Sequence, residues 1–337
     1  MRTTTRTTVL AAAAAGAVAA ARAVGRRREQ LAAVAPDLRH GMLWAPLVVS
    51  ARTLPLVRRA MSAAPPSSAT DPVRRTAPGL DGRPDVEVWL HEPASRSSPS
   101  GAVLWIHGGG YVMGSPVTDH PLCESLAEKL GVLVVAVDYR LAPEHPAPAA
   151  LEDCHTALRW VHANADELGV APDRVAVAGQ SAGGGLAAAL AQLAHDRDDA
   201  PLAFQALLYP MLDDRTALDH DPATGHFVWT PGSNRFGWTS YLGHPAGTGD
   251  PVPHSVPARR EDLRGLPPAW IGVGDLDLFR DEDLAYARRL ADAGVPCAVH
   301  VVPGMYHAAD VVRPGAPAMA AFRESWTEAL RSAVTGA

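Results

Sequence analysis

The run Gly179-Gln180-Ser181-Ala182-Gly183 constrains this chain more than any other stretch. Before it stands Arg174-Val175-Ala176-Val177-Ala178, which is short, apolar and partly β-branched, as a buried parallel strand is. After it, Gly184 to Ala191 is alanine-rich and helix-forming. The serine therefore sits on a sharp strand-to-helix turn. Glycines two positions to either side remove Cβ atoms that such a turn would crowd. The turn lifts the hydroxyl out of the sheet, and the helix below points its free N–H groups at the same place. Small residues cluster in many loops, so the match takes its force from the strand and helix around it.

A chain of 337 residues fits one large domain or two small ones, and a 47% hydrophobic content supports a sizeable core. The net charge of −6 forces no basic face, so nucleic acid is not an expected partner. Cys123, Cys154 and Cys297 are far apart and odd in number, with no metal spacing or disulfide framework. They read as small buried hydrophobes in a reducing compartment, which favours the cytoplasm. The first residues, to about Gly25, carry arginines and threonines, then an alanine-rich run, then Arg26-Arg27-Arg28. That outline resembles a weak secretion signal, the alternative location. The run is broken by Gly16 and Arg22 and is far less hydrophobic than a membrane span. A helix that packs on the main domain or frays is the preferred reading, and no stable membrane insertion is expected.

Helical pieces separated by prolines are expected from about residue 30 to 75, with a Pro/Ser/Ala linker over Ser62–Asp71. Strands are expected at Asp85–Leu90 (half-exposed), Ala102–Ile106, Val132–Val137, Arg174–Ala178, Phe204–Tyr209, Ala269–Val273 and Cys297–Val302. Helices are expected at Asp119–Leu130 with Pro121 in the first turn, at Pro148–Leu168, after Ser181, at Asp281–Ala293 and at Ala316–Val334. Alternation of this kind predicts an α/β fold with a mostly parallel sheet covered on both faces. Ligands then gather at the carboxyl ends of the strands. Asp213–Leu263 breaks the rhythm, with Phe227, Trp229, Phe236, Trp238 and Tyr241 but no clear core strand. It reads as a lid lining an acyl pocket, or as an inserted helix pair packed in the ordinary way.

A serine hydroxyl needs a base, a group that orients the base, and donors for the oxyanion. His107-Gly108-Gly109-Gly110-Tyr111 follows a strand, and its glycines let backbone N–H groups approach a substrate. The N–H of Ala182 is a further donor. Of fourteen histidines, His307 follows the last strand and lies at the active edge. His107 suits a bracing role, and His155 and His195 fall within helices. For the acid, Asp281 and Glu282 read as first-turn residues of a helix, which leaves Asp275 and Asp277 open.

His107-Gly108-Gly109-Gly110, Asp138-Tyr139-Arg140-Leu141-Ala142-Pro143-Glu144, Gly179 to Gly184 and Asp277-Leu278-Phe279-Arg280-Asp281-Glu282 together resemble the hormone-sensitive-lipase family of α/β-hydrolases. These are the bacterial family IV esterases and their arylacetamide-deacetylase-like relatives. The likeness runs from about residue 85 to 325. It implies an α/β-hydrolase fold with a helical cap and hydrolysis of short- to medium-chain acyl esters through an acyl-enzyme, without metal or cofactor. It implies Ser181 as nucleophile, His307 as base and Asp277, rather than Asp275, as acid. Gly109, Gly110 and Ala182 become the oxyanion donors. Residues 1–75 and 213–263 become the cap, and 76–212 with 264–337 the catalytic domain. Tyr111, Trp229 and Phe227 are expected against a small-molecule acyl ester. A homodimer is carried over only by analogy.

The chain departs from the family pattern at Gln180, commonly acidic, at Gly185, commonly asparagine, and at Ala308-Ala309 after the histidine. These changes bear on pocket shape. An amidase or deacetylase acting on aryl amides would use the same machinery, and a non-catalytic receptor would not need it.

Overall fold

The computed structural model describes residues 2–45, 48–63 and 71–336. In chain order, helix α1 (Arg2–Ala33) and helix α2 (Leu54–Ser62) precede strands β1 (Val73–Ala77), β2 (Val86–His91) and β3 (Ser100–Ile106). Then follow α3 (Pro116–Leu130), β4 (Leu133–Asp138), α4 (Ala149–Ala163), α5 (Ala165–Leu168), β5 (Val170–Gln180) and α6 (Ala182–Arg197). The chain continues through β6 (Phe204–Leu208), α7 (Pro231–Leu242), β7 (Ala269–Gly274), α8 (Arg280–Asp292), β8 (Cys297–Val302), α9 (Ala309–Val312) and α10 (Pro317–Thr335). The eight strands form one sheet in the order β1-β2-β4-β3-β5-β6-β7-β8. Pairs involving β2 are antiparallel, and all others are parallel.

Alternation within each strand feeds two cores. On β3, Leu104 and Ile106 face one layer, while Val103 and Trp105 face the other. Leu151, Leu158, Leu186, Leu190 and Leu290 cover the first face, from α4, α6 and α8. The second face takes Cys123 and Leu126 from α3 and a stripe on α10. That stripe, Met319, Phe322, Trp326, Leu330 and Val334, has the spacing of one helical face. Burying such large side chains stabilises by about 1.5–3 kcal/mol each.

The N-terminal segment closes both layers. Val34, Leu38 and Leu43 join the α3/α10 core, and Val49 and Leu54 join the other. Arg27 donates to the carbonyl oxygens of His226 and Leu43, so the end of α1 is pinned to the body. Among the described residues, no helix is long and apolar enough to cross a membrane.

Several expectations are corrected. β1 was not anticipated, because an exposed edge strand reading Val-Arg-Arg-Thr-Ala carries no apolar period. β2 is buried except at Glu87, partly because the Arg74 guanidinium lies over the Trp89 ring at 4.3 Å. α3 begins at Pro116, which leaves Pro121 inside the helix. Asp119 is consequently not a helix-start residue; it turns inward and accepts a hydrogen bond from Trp105 Nε1. Asp213–Leu263 holds one α-helix and two short 3-10 turns rather than a helix pair. Most of the expected 62–71 linker, residues 64–70, lies outside the described residues. Cys123 and Cys154 are buried, whereas Cys297 is half-exposed.

Asp283 on α8 is wholly buried, and neither of its carboxylate oxygens has a hydrogen-bond partner. Burial, with Glu282 and Asp277 nearby, raises its pKa well above the carboxylate range. The folded chain then holds a proton that the unfolded chain releases above about pH 4, so stability falls as pH rises through that window. Asp283→Asn removes this linkage. Its melting temperature should exceed the parent's by a margin that widens from pH 4 to 8, by at most about 1.4 kcal/mol per pH unit. Parallel pH curves for the two proteins would refute an uncompensated carboxyl.

Candidate active site

Ser181 adopts φ 56° and ψ −120°, a conformation that side chains other than glycine's rarely take. Three backbone bonds hold it there. Its N–H donates to Leu208 O at 2.9 Å, and its carbonyl accepts from Gly185 N and Met211 N, both at 3.0 Å. The surrounding glycines have steric reasons. A Cβ on Gly183 would drive into the carbonyl oxygens of Ile106 and His107, and one on Gly179 into that of Gly183. At Gly185 a Cβ would meet the carbonyl of Met211 and the Tyr111 hydroxyl, so this packing has no room for asparagine.

The elbow aims Ser181 Oγ at His307 Nε2, 2.9 Å away. On the other side of the ring, His307 Nδ1 lies 2.8 Å from Asp277 Oδ2. A carboxylate only accepts, so Nδ1 carries the proton and Nε2 is left to accept from the serine. Asp277 is fully buried, and its second oxygen accepts from Phe279 N at 3.0 Å. Phe279 and Tyr209 present ring edges and faces to the imidazole at 5.1 and 5.0 Å between centroids, restricting its tilt. The alternative acid, Asp275, serves elsewhere: it accepts from Gly304 N at 2.7 Å and so fixes the loop that carries His307.

Opposite the serine, Gly109 and Gly110 have φ of 124° and 60°. A Cβ on Gly110 would strike the Trp229 ring. Among the described residues, the N–H groups of Gly109, Gly110 and Ala182 donate to no backbone carbonyl. His107 braces this loop. Its Nδ1–H donates to Gly108 O at 2.7 Å, and its ring stacks on Tyr139 at 4.1 Å. Burial lowers its pKa to about 4, so it stays neutral. From the far side, Arg58 on α2 donates to Val112 O at 2.7 Å and Ala142 O at 2.8 Å while pairing with Glu144 at 2.7 Å.

These groups meet in a cavity of about 240 Å³ lined by Ser181, His307, Gly109, Trp229, Met61 and Val311 among others. Of the aromatics expected against substrate, only Trp229 lines it. Phe227 does not, because a tight turn intervenes: Val228 has φ 60°, and Trp229 N–H donates to Phe227 O at 2.7 Å. The turn sends the two rings into opposite cores. Phe227 instead lies under the Arg27 guanidinium. Tyr111 is withdrawn too, stacked on Tyr241 at 4.0 Å with its hydroxyl donating to Met211 O.

A polar cluster below the serine was missed. Gln180 Nε2 donates to both oxygens of Asp119 at 3.1 Å, and the Tyr209 hydroxyl donates to Asp310 Oδ1 at 2.7 Å. Burial raises the Asp119 pKa to about 6; bonds from Trp105 and Gln180 oppose the shift, and Asp310 adds to it. The signal available in the sequence was the amide at Gln180, which can donate to an acid where a second carboxylate would repel it. Among the described residues, no three His, Cys, Asp or Glu side chains form a metal-binding group.

Comparison with known proteins finds relatives of the same fold. The sequence profile of the alpha/beta hydrolase fold matches residues 103–310. Carboxylesterase NlhH of Mycobacterium tuberculosis is 39% identical over 242 residues, covering 68% of this chain and 72% of that protein. Ethyl acetate hydrolase of Pseudomonas putida is 37% identical over 217 residues, 64% of this chain and 67% of that one. The solved structure of a bacterial heroin esterase superposes with a TM-score of 0.82 at 35% identity, over 90% of this chain and 99% of the other.

Gly183→Ala places a methyl group against the carbonyl oxygens of Ile106, the last residue of β3, and of His107. Overpacking of this kind costs about 1–3 kcal/mol. Thermal unfolding should show a lowered midpoint, together with slower labelling of Ser181 by a fluorophosphonate. An unshifted midpoint would mean that the elbow has room the geometry denies.

Proposed function

The chain belongs to the hormone-sensitive-lipase family of α/β-hydrolases and is a carboxylic ester hydrolase, and from that premise we propose that it cleaves short- to medium-chain acyl esters through an acyl-enzyme on Ser181. The observation that carries this reading is the hydrogen-bonded row Ser181–His307–Asp277, at 2.9 and 2.8 Å. As Oγ attacks the ester carbonyl, its proton passes to His307 Nε2 and the carbonyl electron pair moves onto oxygen. Asp277 remains a carboxylate and stabilises the imidazolium. The oxyanion is met by the N–H groups of Gly109, Gly110 and Ala182. Each such donor contributes roughly 3–4 kcal/mol when it is fixed before charge develops. The oxyanion then collapses, the C–O bond to the alcohol breaks, and His307 returns the proton to the leaving oxygen. Water repeats the sequence on the acyl-serine and releases the acid.

The apolar walls, with Trp229 facing the glycine loop, suit an acyl chain rather than a charged group. A volume of about 240 Å³ favours short chains. Hydrolysis of p-nitrophenyl esters should therefore be faster for butyrate than for laurate.

Ser181→Ala should lower p-nitrophenyl butyrate turnover by roughly 10⁴-fold or more without a change in melting temperature. Asp277→Asn should lower kcat by roughly 10³–10⁴-fold through the wrong imidazole tautomer. Substantial turnover by the alanine variant would remove Ser181 from the mechanism.

A further inference from the structure

We infer that the outer face of the N-terminal segment, residues 18–45 and 48–63, is a docking surface for anionic phospholipid bilayers, and that docking sets the cavity mouth beside the lipid. Two independent features meet there. The first is charge. This segment carries eight arginines against two acids, Glu29 and Asp37, in a chain whose net charge is −6. The rest of the chain therefore carries twelve more acids than bases, while this segment carries a net positive charge. Arg22, Arg26, Arg28, Arg52 and Arg59 are exposed, and none lies within ion-pair distance of a carboxylate among the described residues.

The second feature is apolar exposure. Among the described residues, half of the twelve exposed large hydrophobic side chains fall in this segment: Val18, Val24, Met42, Trp44, Val48 and Leu56. Leu56 is 72% exposed, and Trp44, at 49%, is the exposed tryptophan among the described residues. Tryptophan and arginine side by side are what a bilayer surface takes: the indole settles at headgroup depth, and the guanidinium finds phosphate. The two kinds of residue interleave here. Arg28, Arg39 and Trp44 share one shallow hollow with Leu31. On α2, Leu56 and Arg59 stand one turn apart on the outer side, while Leu54 and Val57 face the core.

Position links the surface to the reaction. Met61 of α2 lines the cavity, and so does Val311 of α9, which is 56% exposed. Arg313, just past α9, donates to Asp37 O, which ties the 34–45 stretch to the other side of the mouth. A bilayer touching this face would lie beside the opening through which an ester must pass. The surface lies on the membrane and does not span it.

The test is co-sedimentation of the full chain with vesicles of phosphatidylcholine, alone and with 30% phosphatidylserine (by design of the assay, about one lipid in three anionic). Binding should require the anionic lipid and fall at least tenfold when salt is raised to about 0.5 M, where charges are screened within a few ångströms. Arg26→Glu/Arg28→Glu/Arg59→Glu should weaken the partition about a hundredfold or more, since each basic residue near such a surface is worth about 1 kcal/mol. Trp44→Ser should weaken it about tenfold. Both variants should keep parental turnover of soluble p-nitrophenyl butyrate, which shows that they are folded. The assay is repeated on Ser181→Ala, so its outcome is independent of the proposed chemistry. Equal sedimentation with both vesicle types, or none, would overturn the inference. So would a dimer of the parent that Trp44→Ser dissociates, since a second copy would then be the occupant.

Discussion

The backbone at Ser181 is the constraint on which the rest of the architecture converges. A positive φ at a residue with a side chain costs of order 1–3 kcal/mol, and it persists only where neighbours over-determine it. Here Leu208 at the end of β6, Met211 beyond it and Gly185 in α6 each hold one end of the serine's peptide units. The parallel pairing of β5 with β6 and β3 sets those partners in place. Side-chain removal at Gly179, Gly183 and Gly185 then lets three backbones approach within contact. The sheet is, in this sense, the instrument that keeps one hydroxyl pointed outward.

Around that hydroxyl, each reactive group is fixed by something other than itself. His307 is oriented by a buried carboxylate and by two aromatic rings. Its loop is fixed by Asp275, which accepts from Gly304 N. The glycine loop is braced from within by neutral His107 and from outside by Arg58. Few of these positions would be chosen by chemistry alone, yet each removes a degree of freedom from the row Ser181–His307–Asp277. Such support is what turns three side chains of ordinary reactivity into a site prepared before substrate arrives.

Much of this was legible in the sequence, for identifiable reasons. Buried parallel strands write themselves as short apolar runs, so β3 to β7 were readable; β8, an edge strand with only Val302 buried, kept a readable apolar run as well. The glycine runs marked the elbow and the loop opposite, because steric demands leave little choice of residue. Elements governed by exposure or by long-range contact were not readable. β1 is exposed along four of its five residues and leaves no periodic trace. Phe227 and Trp229 look alike in the string, and a single turn at Val228 decides which of them faces the cavity. Spacing alone left Asp275 and Asp277 equivalent; the fold distinguishes them by giving one to a backbone amide and the other to the imidazole. The network of Asp119, Gln180, Tyr209 and Asp310 joins residues far apart in the chain, and only the amide at Gln180 hinted at it.

The anchoring of residues 34–43 and 49–54 carries a last implication. Val34, Leu38 and Leu43 anchor in the α3/α10 core, and Val49 and Leu54 anchor in the opposite core. Leu54 opens α2, whose Met61 lines the cavity, so the second anchor adjoins the reaction chamber. Loosening these anchors disturbs packing on both sides of the sheet together. Widening of the chamber is thus coupled to the cohesion of the whole body, and the rate at which bulky esters gain admission becomes a property of the global fold.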